Sequence, residues 1–181
     1  MNSILVACEM NAEGTAVIGK PVLIYDGNDG VNHTVEGPKL YKRDGWYYIF
    51  APAGGVEQGW QLAMRSKSIY GPYEVRRVME QGDTDINGPH QGGWVETPQG
   101  ESWFVHFQDK AMYGRIIHLN PMVWHDGWPV IGEDKDGDGC GNPVRRHAKP
   151  KVNGKRPKTT PVESDEFNSR QLGLQWEWHA N

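Results

Sequence analysis

The sequence Gly37-Pro38-Lys39-Leu40-Tyr41 leads through Lys42-Arg43 to a turn at Asp44-Gly45 and on to the aromatic run Trp46-Tyr47-Tyr48-Ile49-Phe50. A second copy of this pattern starts 51 residues later at Gly88-Pro89, with its turn at Gln99-Gly100 and its aromatic run at 103–107. Each copy is followed by one more apolar strand, at 61–65 and 115–119, and by an outer piece near 73–75 and 123–124.

These stretches predict antiparallel sheets, because apolar and polar residues alternate, the turns contain Gly, and no helical period is present. Sheet units that recur about every 50 residues are typical of β-propeller blades. A third, partial unit is predicted in residues 1–26, where 18–25 resembles a strand. The chain is therefore predicted to hold about two and a half blades, with a β-sandwich as the alternative fold.

The composition supports a β-rich protein and excludes some functions. The chain of 181 residues contains 23 Gly, 12 Pro and 8 Trp, and its formal net charge is −4. A general nucleic-acid footprint is not expected at this charge. The Trp residues fit either an aromatic core or a surface that stacks on sugar rings.

Three regions are predicted along the chain. Residues 1–143 would form the blades, and 144–162, which hold the basic residues Arg145 to Lys158, would form a solvated linker. Residues 163–181 become aromatic again and would open a second domain. No stretch has the roughly 18 apolar residues of a membrane span, and the N-terminus does not resemble a signal peptide. A secreted or periplasmic parent with its signal outside this chain is left open, as is pairing of Cys8 with Cys140.

Few known catalytic or metal-binding motifs are present. The loop Asp134-Lys135-Asp136-Gly137-Asp138-Gly139 resembles the first half of a calcium loop, but the closing Glu is replaced by Arg145 or Pro143. A turn rich in Asp and Gly is the preferred interpretation. Pairs of His or Cys with metal-ligand spacing, a phosphate-binding loop and a nucleophile elbow are missing from the sequence.

Four polar residues stand at the places where blades would line a central funnel. Glu36 immediately precedes Gly37-Pro38 and is a candidate general acid. Asn87 and His90 flank the second Gly-Pro pair, and His90 could hold a hydroxyl, a water or an ion. Arg115 offers a fork of donors to sugar hydroxyls or a carboxylate.

The motifs together resemble glycoside hydrolase family 43. The run from Glu36 to Tyr41, with residues 47–50, resembles that family's general-acid blade. Residues 88–91 with 103–107 are similar to its next blade, and residues 113–115 with 124–129 to the blade after that. Residues 172–178 resemble the start of the β-sandwich that follows the propeller in β-xylosidase-type members.

The resemblance implies a partial five-bladed propeller and an enzyme of the β-xylosidase or α-L-arabinofuranosidase type that acts with inversion on plant polysaccharides or oligosaccharides. It implies Glu36 as the general acid, His90 and Arg115 as substrate-site residues, and Trp60 as a stacking wall. No cofactor is required, and a water-coordinated structural calcium near His90 is left open. The family's general base is an Asp on an earlier blade, and neither Asp26 nor Asp29 has its surroundings, so the isolated chain is expected to be nearly inactive.

Two other functions compete with this hypothesis. A non-catalytic carbohydrate-binding propeller would explain the many Trp residues and the missing base. A purely structural blade module would bind no sugar at all. The expected partners of the enzyme are a xylo- or arabino-oligosaccharide and the missing N-terminal blades of the same protein, with neither nucleic acid nor membrane. The sequence does not distinguish xylose from arabinose, or exo from endo cleavage.

Overall fold

The computed structural model describes residues 3–28, 30–154, 165–173 and 176, and its regular structure is all β. The strands are β1 (Ile4–Ala7), β2 (Val22–Asp26), β3 (Lys39–Arg43), β4 (Trp46–Ala53), β5 (Trp60–Ser66), β6 (Glu74–Met79), β7 (His90–Glu96), β8 (Ser102–Asp109), β9 (Arg115–His125) and β10 (Trp128–Ile131). One 3₁₀ turn, Ala111–Tyr113, joins β8 to β9. Within the described ranges, no helix has the length and apolarity to cross a membrane.

The strands form two complete four-stranded sheets and one two-stranded sheet. Strands β3 to β6 pair in chain order, β7 to β10 repeat this arrangement, and β1 pairs with β2. All of these pairings are antiparallel. The all-β prediction, with two similar units and a partial third, is confirmed.

Turn chemistry explains why these hairpins form where they do. At Asp44-Gly45 the φ angles are 49° and 74°, and at Asp126-Gly127 they are 50° and 74°. Two-residue hairpin turns that match the twist of β-strands need positive φ at both positions, which Asp-Gly tolerates well. The first of these turns was predicted from the sequence.

Two strand boundaries differ from the prediction. Strand β9 is one strand of 11 residues, whereas the sequence indicated separate pieces at 115–119 and 123–124. Pro121, which suggests a break, is tolerated because the N–H that it lacks would lie at the end of the ladder with β10, next to the last pair, Met122 with Ile131. Strand β2 begins at Val22 rather than Ile18.

The two complete sheets pack against each other through a buried aromatic layer. Phe50 of β4 and Phe104 of β8 are both fully buried, and their ring centroids lie 5.6 Å apart. Tyr48 donates a hydrogen bond from its hydroxyl to the carbonyl of Gly127, at 2.8 Å. This face-to-face packing of successive sheets is the arrangement expected of neighbouring blades.

The two-stranded sheet packs on the other face of the first complete sheet. Leu5 of β1 is buried in a cluster with Ile49 and Leu62, and Ile24 of β2 packs against its edge. The first complete sheet is therefore covered on both faces, which explains why β4 is an almost continuous buried run.

Chain contacts divide the protein into a unit of Met1–Lys151 and a unit of Val152–Asn181, whereas the sequence placed the first boundary at residue 143. Within the first unit the N–H of Val144 donates to Asn120, and that of Lys151 donates to Glu101. The second unit shows no strand in residues 165–173 and 176. The other residues of the predicted β-sandwich segment lie outside the described ranges, so the sandwich and the linker remain predictions.

Both cysteines are free thiols, which answers the question that the sequence left open. Cys8 is exposed. Burial, followed by the charge of Glu80, raises the pKa of Cys140 to about 12, so its thiol is a poor nucleophile at neutral pH.

A buried histidine makes stability depend on pH. His106 on β8 is 1% exposed, and its Nε2 accepts a hydrogen bond from Asn120 Nδ2 at 2.8 Å. Burial lowers the pKa of His106 to about 4. As the pH falls below about 6.5, the unfolded chain takes up a proton at His106 and the folded chain does not, so stability is lost until the pH reaches about 4.

We expect acidification from pH 7.5 to 4.5 to remove roughly 2–3 kcal/mol of the free energy of unfolding through this one residue. His106→Gln keeps an acceptor for Asn120 but cannot be protonated. On the same acidification, the variant should therefore lose correspondingly less of its free energy of unfolding. Urea unfolding of both proteins at the two pH values measures the difference. Equal losses in the two proteins would contradict the assignment.

Candidate functional site

Glu36 stands at the entrance to β3 with its side chain half exposed. The preceding residue, Val35, is buried, and the Glu36 N–H donates to the carbonyl of Pro52 at 3.2 Å. These contacts fix the backbone while the carboxylate keeps 50% of its side-chain surface in solvent. A carboxyl group in this position can contact a ligand without local unfolding of the surrounding residues.

His90, the first residue of β7, lies beside that carboxylate. Its Nε2 is 3.9 Å from Glu36 Oε1, and its side chain is fully buried. Neither ring nitrogen forms a hydrogen bond with any of the described residues. The ring lies against Gly59, where a Cβ would come within 2.5 Å of His90 Cε1. Gly59 is therefore needed for the ring to occupy this place.

The loop that leads into His90 is held from two sides. Gln108 of β8 donates from Nε2 to the carbonyl of Asp85, at 2.7 Å, and to Asn87 Oδ1, at 2.8 Å. Asn87 Nδ2 in turn donates to the carbonyl of Glu57 at 3.0 Å. Asn87 precedes the second Gly-Pro pair as Glu36 precedes the first, and it is thus part of the scaffold that positions His90.

Gln91, for which the sequence predicts no role, contacts the Glu36 carboxylate directly. Its Nε2 donates a hydrogen bond to Glu36 Oε1 at 3.1 Å. The pair Gly92-Gly93 that follows is the sequence signal that could have identified it, because Gly inside a strand often marks a bulge.

Arg115 joins the same region through an aromatic ring. Its guanidinium carbon lies 4.7 Å from the centroid of the Phe107 ring, and the His90 ring lies 6.1 Å from the same centroid. Arg115 is 59% exposed and faces Asp109, with 4.0 Å between Nε and Oδ2. The structure therefore brings together Glu36, His90 and Arg115 at the ends of β3, β7 and β9.

Trp60 is engaged elsewhere. Its Nε1 donates to Asn32 Oδ1 at 3.0 Å, and the guanidinium of Arg77 covers its ring at 3.9 Å. The ring of His33 meets it edge-on at 5.9 Å. These contacts belong to the packing of the first complete sheet, and the role of Trp60 in stacking on sugar stays a prediction.

The charges around His90 oppose one another. Burial lowers the pKa of His90, the Glu36 carboxylate raises it, and the charge of Arg115 lowers it further. The carbonyl of Pro89 also favours the charged form, although it makes no hydrogen bond of normal geometry with the ring. Burial outweighs the carboxylate, so the pKa of His90 lies below its ordinary value and the neutral imidazole is favoured.

We expect Glu36→Gln to lower the pKa of His90, because the substitution removes the negative charge that favours the imidazolium. Histidine-selective NMR across a pH titration of this chain measures the shift. His118, whose pKa is lowered by burial and then by Lys110, serves as the internal control and should not move. An unchanged His90 would show that the 3.9 Å contact is not kept in solution.

The residues around His90 do not suit a directly coordinated calcium ion. Ca²⁺ takes about six to eight oxygen ligands. Among the described residues that contact the His90 ring, Glu36 supplies a carboxylate, and its Oε1 is already bonded to Gln91. The two unpartnered ring nitrogens fit a water better than a hard cation.

The acidic loop forms the predicted turn. Asp134 accepts the N–H groups of Gly137 and Gly139 at 2.8 and 3.0 Å, and Asp138 accepts that of Cys140 at 2.7 Å. These are the local bonds by which Asp stabilises tight turns. Asp26 is similarly engaged, with both the N–H and the side-chain amide of Asn28, and Asp29 lies outside the described residues.

Comparison with known proteins shows which protein family this chain resembles. Residues 1–129 match the model of glycosyl hydrolases family 43. The chain is 38% identical over 192 residues to a β-xylosidase of Formosa agariphila, covering 96% of this chain and 31% of the relative. It is 29% identical over 160 residues to a non-reducing end α-L-arabinofuranosidase of Bacteroides ovatus, covering 81% of this chain and 29% of the relative.

A solved structure shows the same likeness. The xylan β-1,4-xylosidase of Bacillus halodurans C-125 superposes with a TM-score of 0.68 at 30% identity, over 92% of this chain and 33% of that one. The propeller prediction is confirmed by this likeness, while the total of five blades stays a prediction. The chain spans about a third of the length of the relatives it matches. The match over residues 1–129 shows that this chain belongs to glycosyl hydrolases family 43.

Proposed function

We propose that this chain supplies the general-acid part of a glycoside hydrolase that acts on xylose- or arabinose-containing plant polysaccharides or oligosaccharides. The observation that carries the proposal is the half-exposed Glu36 carboxylate, 3.9 Å from the fully buried ring of His90. The names of the two curated relatives, a β-xylosidase and an α-L-arabinofuranosidase, support the substrate class.

In the proposed reaction, Glu36 donates its proton to the glycosidic oxygen as the bond to the anomeric carbon breaks. Inversion also needs a carboxylate base about 6.5–9.5 Å from the acid, with a water between the base and the sugar. We propose that this base is an Asp on an earlier blade, outside this chain. Two described carboxylates are candidates for the base, but Asp26 is already hydrogen-bonded to Asn28 and Asp109 faces Arg115.

His90 and Arg115 would bind rather than transfer protons. Neither ring nitrogen of His90 has a partner among the described residues, so each is free for a sugar hydroxyl or a water, but the ring is fully buried and its neighbours must shift slightly to open it. The exposed guanidinium of Arg115 can donate to sugar hydroxyls. We propose no cofactor for the chemistry, and any structural calcium near His90 would contact the ring through water.

Paired aryl substrates test the proposal. Nitrophenyl β-xyloside and nitrophenyl α-L-arabinofuranoside would be given to this chain alone and to the longest open reading frame that contains it. We expect hydrolysis by the longer protein and almost none by the chain alone, because loss of a base typically costs about 10²–10⁴ in rate. The preferred substrate would decide between xylose and arabinose.

Other outcomes would favour the competing functions. Sugar binding without hydrolysis in the longer protein, measured by calorimetry with xylo-oligosaccharides, would indicate a non-catalytic carbohydrate-binding propeller. If the longer protein showed no sugar binding and no hydrolysis, the result would indicate a purely structural blade module. Full activity of the chain alone would contradict the proposal that the base lies outside it.

A further inference from the structure

Two consecutive side chains reach the same carboxylate oxygen. His90 Nε2 lies 3.9 Å from Glu36 Oε1, and Gln91 Nε2 donates to that oxygen at 3.1 Å. In a regular β-strand, neighbouring side chains point to opposite faces of the sheet. The backbone between His90 and Gln91 must therefore depart from regular strand geometry.

A β-bulge provides that departure. His90 pairs with Phe107 and Gly93 pairs with Val105, so two residues of β7 oppose one residue of β8. Gln91 has a backbone φ of +50°, a value that residues other than Gly seldom adopt. Bulges near functional sites re-aim a side chain, and here the bulge turns Gln91 towards Glu36.

The surroundings are shaped to hold the Gln91 carboxamide in this place. A Cβ on Gly37 would come within 2.0 Å of Gln91 Oε1, so the carboxamide lies directly against the Gly37 backbone. Lys39 Nζ bridges the carbonyls of Gly37 and Gln91 at 3.4 and 3.3 Å. These bonds join the start of β3 to the bulge of β7, across two sheets.

We propose that Gln91 is a positioning residue, which holds the Glu36 carboxylate at the His90 ring so that its proton is directed at the leaving oxygen. The unfavourable backbone angle of Gln91 is then a cost that the site bears for placing one amide donor. This inference rests on the proposed function for the purpose of the contact, but the contact itself can be measured without any substrate.

The test uses His90 as a reporter of where the Glu36 charge lies. Three charged groups bear on this ring or its surroundings: Glu36 before β3, Lys39 on β3 and Arg115 on β9. Gln91→Met removes the amide donor at similar volume. If Gln91 holds the carboxylate, the variant should lower the pKa of His90 in the same direction as Glu36→Gln, because the released carboxylate moves into solvent.

A double-mutant cycle separates this role from a general structural one. In the Glu36→Gln background, Gln91→Met should leave the titration of His90 unchanged, since no carboxylate remains to be positioned. Gln91→Asn keeps an amide but shortens its reach and tolerates positive φ better, so it should repeat the effect of Gln91→Met. A His90 pKa that is unchanged or raised in Gln91→Met, or lowered equally in both backgrounds, would overturn the proposal.

Kinetics of the longer protein give a second measurement. Gln91→Met should lower kcat by about 10–100-fold with little change in KM, as expected when a catalytic group is misplaced by about 1 Å. A rise in KM alone would show that Gln91 binds substrate instead. If the longer protein proves inactive, the proposed function fails while the NMR cycle still decides the positioning role.

Discussion

Replacing Glu36 by Gln in the longer protein is expected to lower kcat by about 10²–10⁴-fold on substrates with poor leaving groups. Gln has nearly the shape of Glu but no acidic proton to donate to the leaving group. The Glu36 side chain is half exposed, so the substitution should preserve folding. KM should change little, because the lost proton transfer occurs only in the transition state.

The dependence on the leaving group identifies the chemical role. A dinitrophenolate departs without protonation, so the dinitrophenyl glycoside should be hydrolysed by Glu36→Gln at a rate close to that of the unmodified protein. An alkyl xyloside should show the full loss. Steady-state kinetics on a series of aryl and alkyl glycosides measures this slope. An equal loss across the series would refute general-acid catalysis by Glu36.

Glu96→Gln provides the matched control. Glu96 lies at the far end of β7 from His90 and is exposed. The same change of charge at this position should leave kcat and its dependence on the leaving group unaffected. A comparable loss in the control would indicate that net charge, rather than the Glu36 proton, limits the rate.

The sheets could be predicted from the sequence because local chemistry determines them. The Asp44-Gly45 turn and the alternation of residues 46–50 suffice to set one hairpin, and the second copy repeats them. Glu36 and His90 were found as single residues beside Gly-Pro pairs. Their 3.9 Å contact joins two sheets that pack through distant residues, and no local pattern encodes it.

Gly92-Gly93 could have signalled a bulge in β7, but not the contact that Gln91 makes there, for a related reason. Its contact depends on a bulge whose register is visible only when β7 is paired with β8. For Trp60 the sequence predicted a role that it could not distinguish from packing, since a sugar-stacking Trp and a packed Trp look identical in sequence. Here Arg77 and Asn32 already occupy its ring face and its N–H.

The packing between sheets is expected to depend most strongly on Phe104. This residue is fully buried, its ring lies 5.6 Å from that of Phe50, and it fills the space above Gly92, where a Cβ would lie 2.1 Å from the Phe104 ring. Phe104→Ala would leave a cavity between the two complete sheets. We expect a loss of about 3–5 kcal/mol in the free energy of unfolding, a large part of the roughly 5–15 kcal/mol of a typical domain.

Urea unfolding of this chain, followed by tryptophan fluorescence, measures that loss, and Ile117→Ala on the adjacent strand β9 is its control. Ile117 is 67% exposed, so its truncation should change the free energy of unfolding by no more than about 0.5 kcal/mol. Phe104→Leu, which refills most of the cavity, should recover more than half of the loss. If Phe104→Ala cost no more than Ile117→Ala, the aromatic layer would not hold the sheets together. Glu36 and His90 would then need another source of alignment, because each belongs to a different sheet.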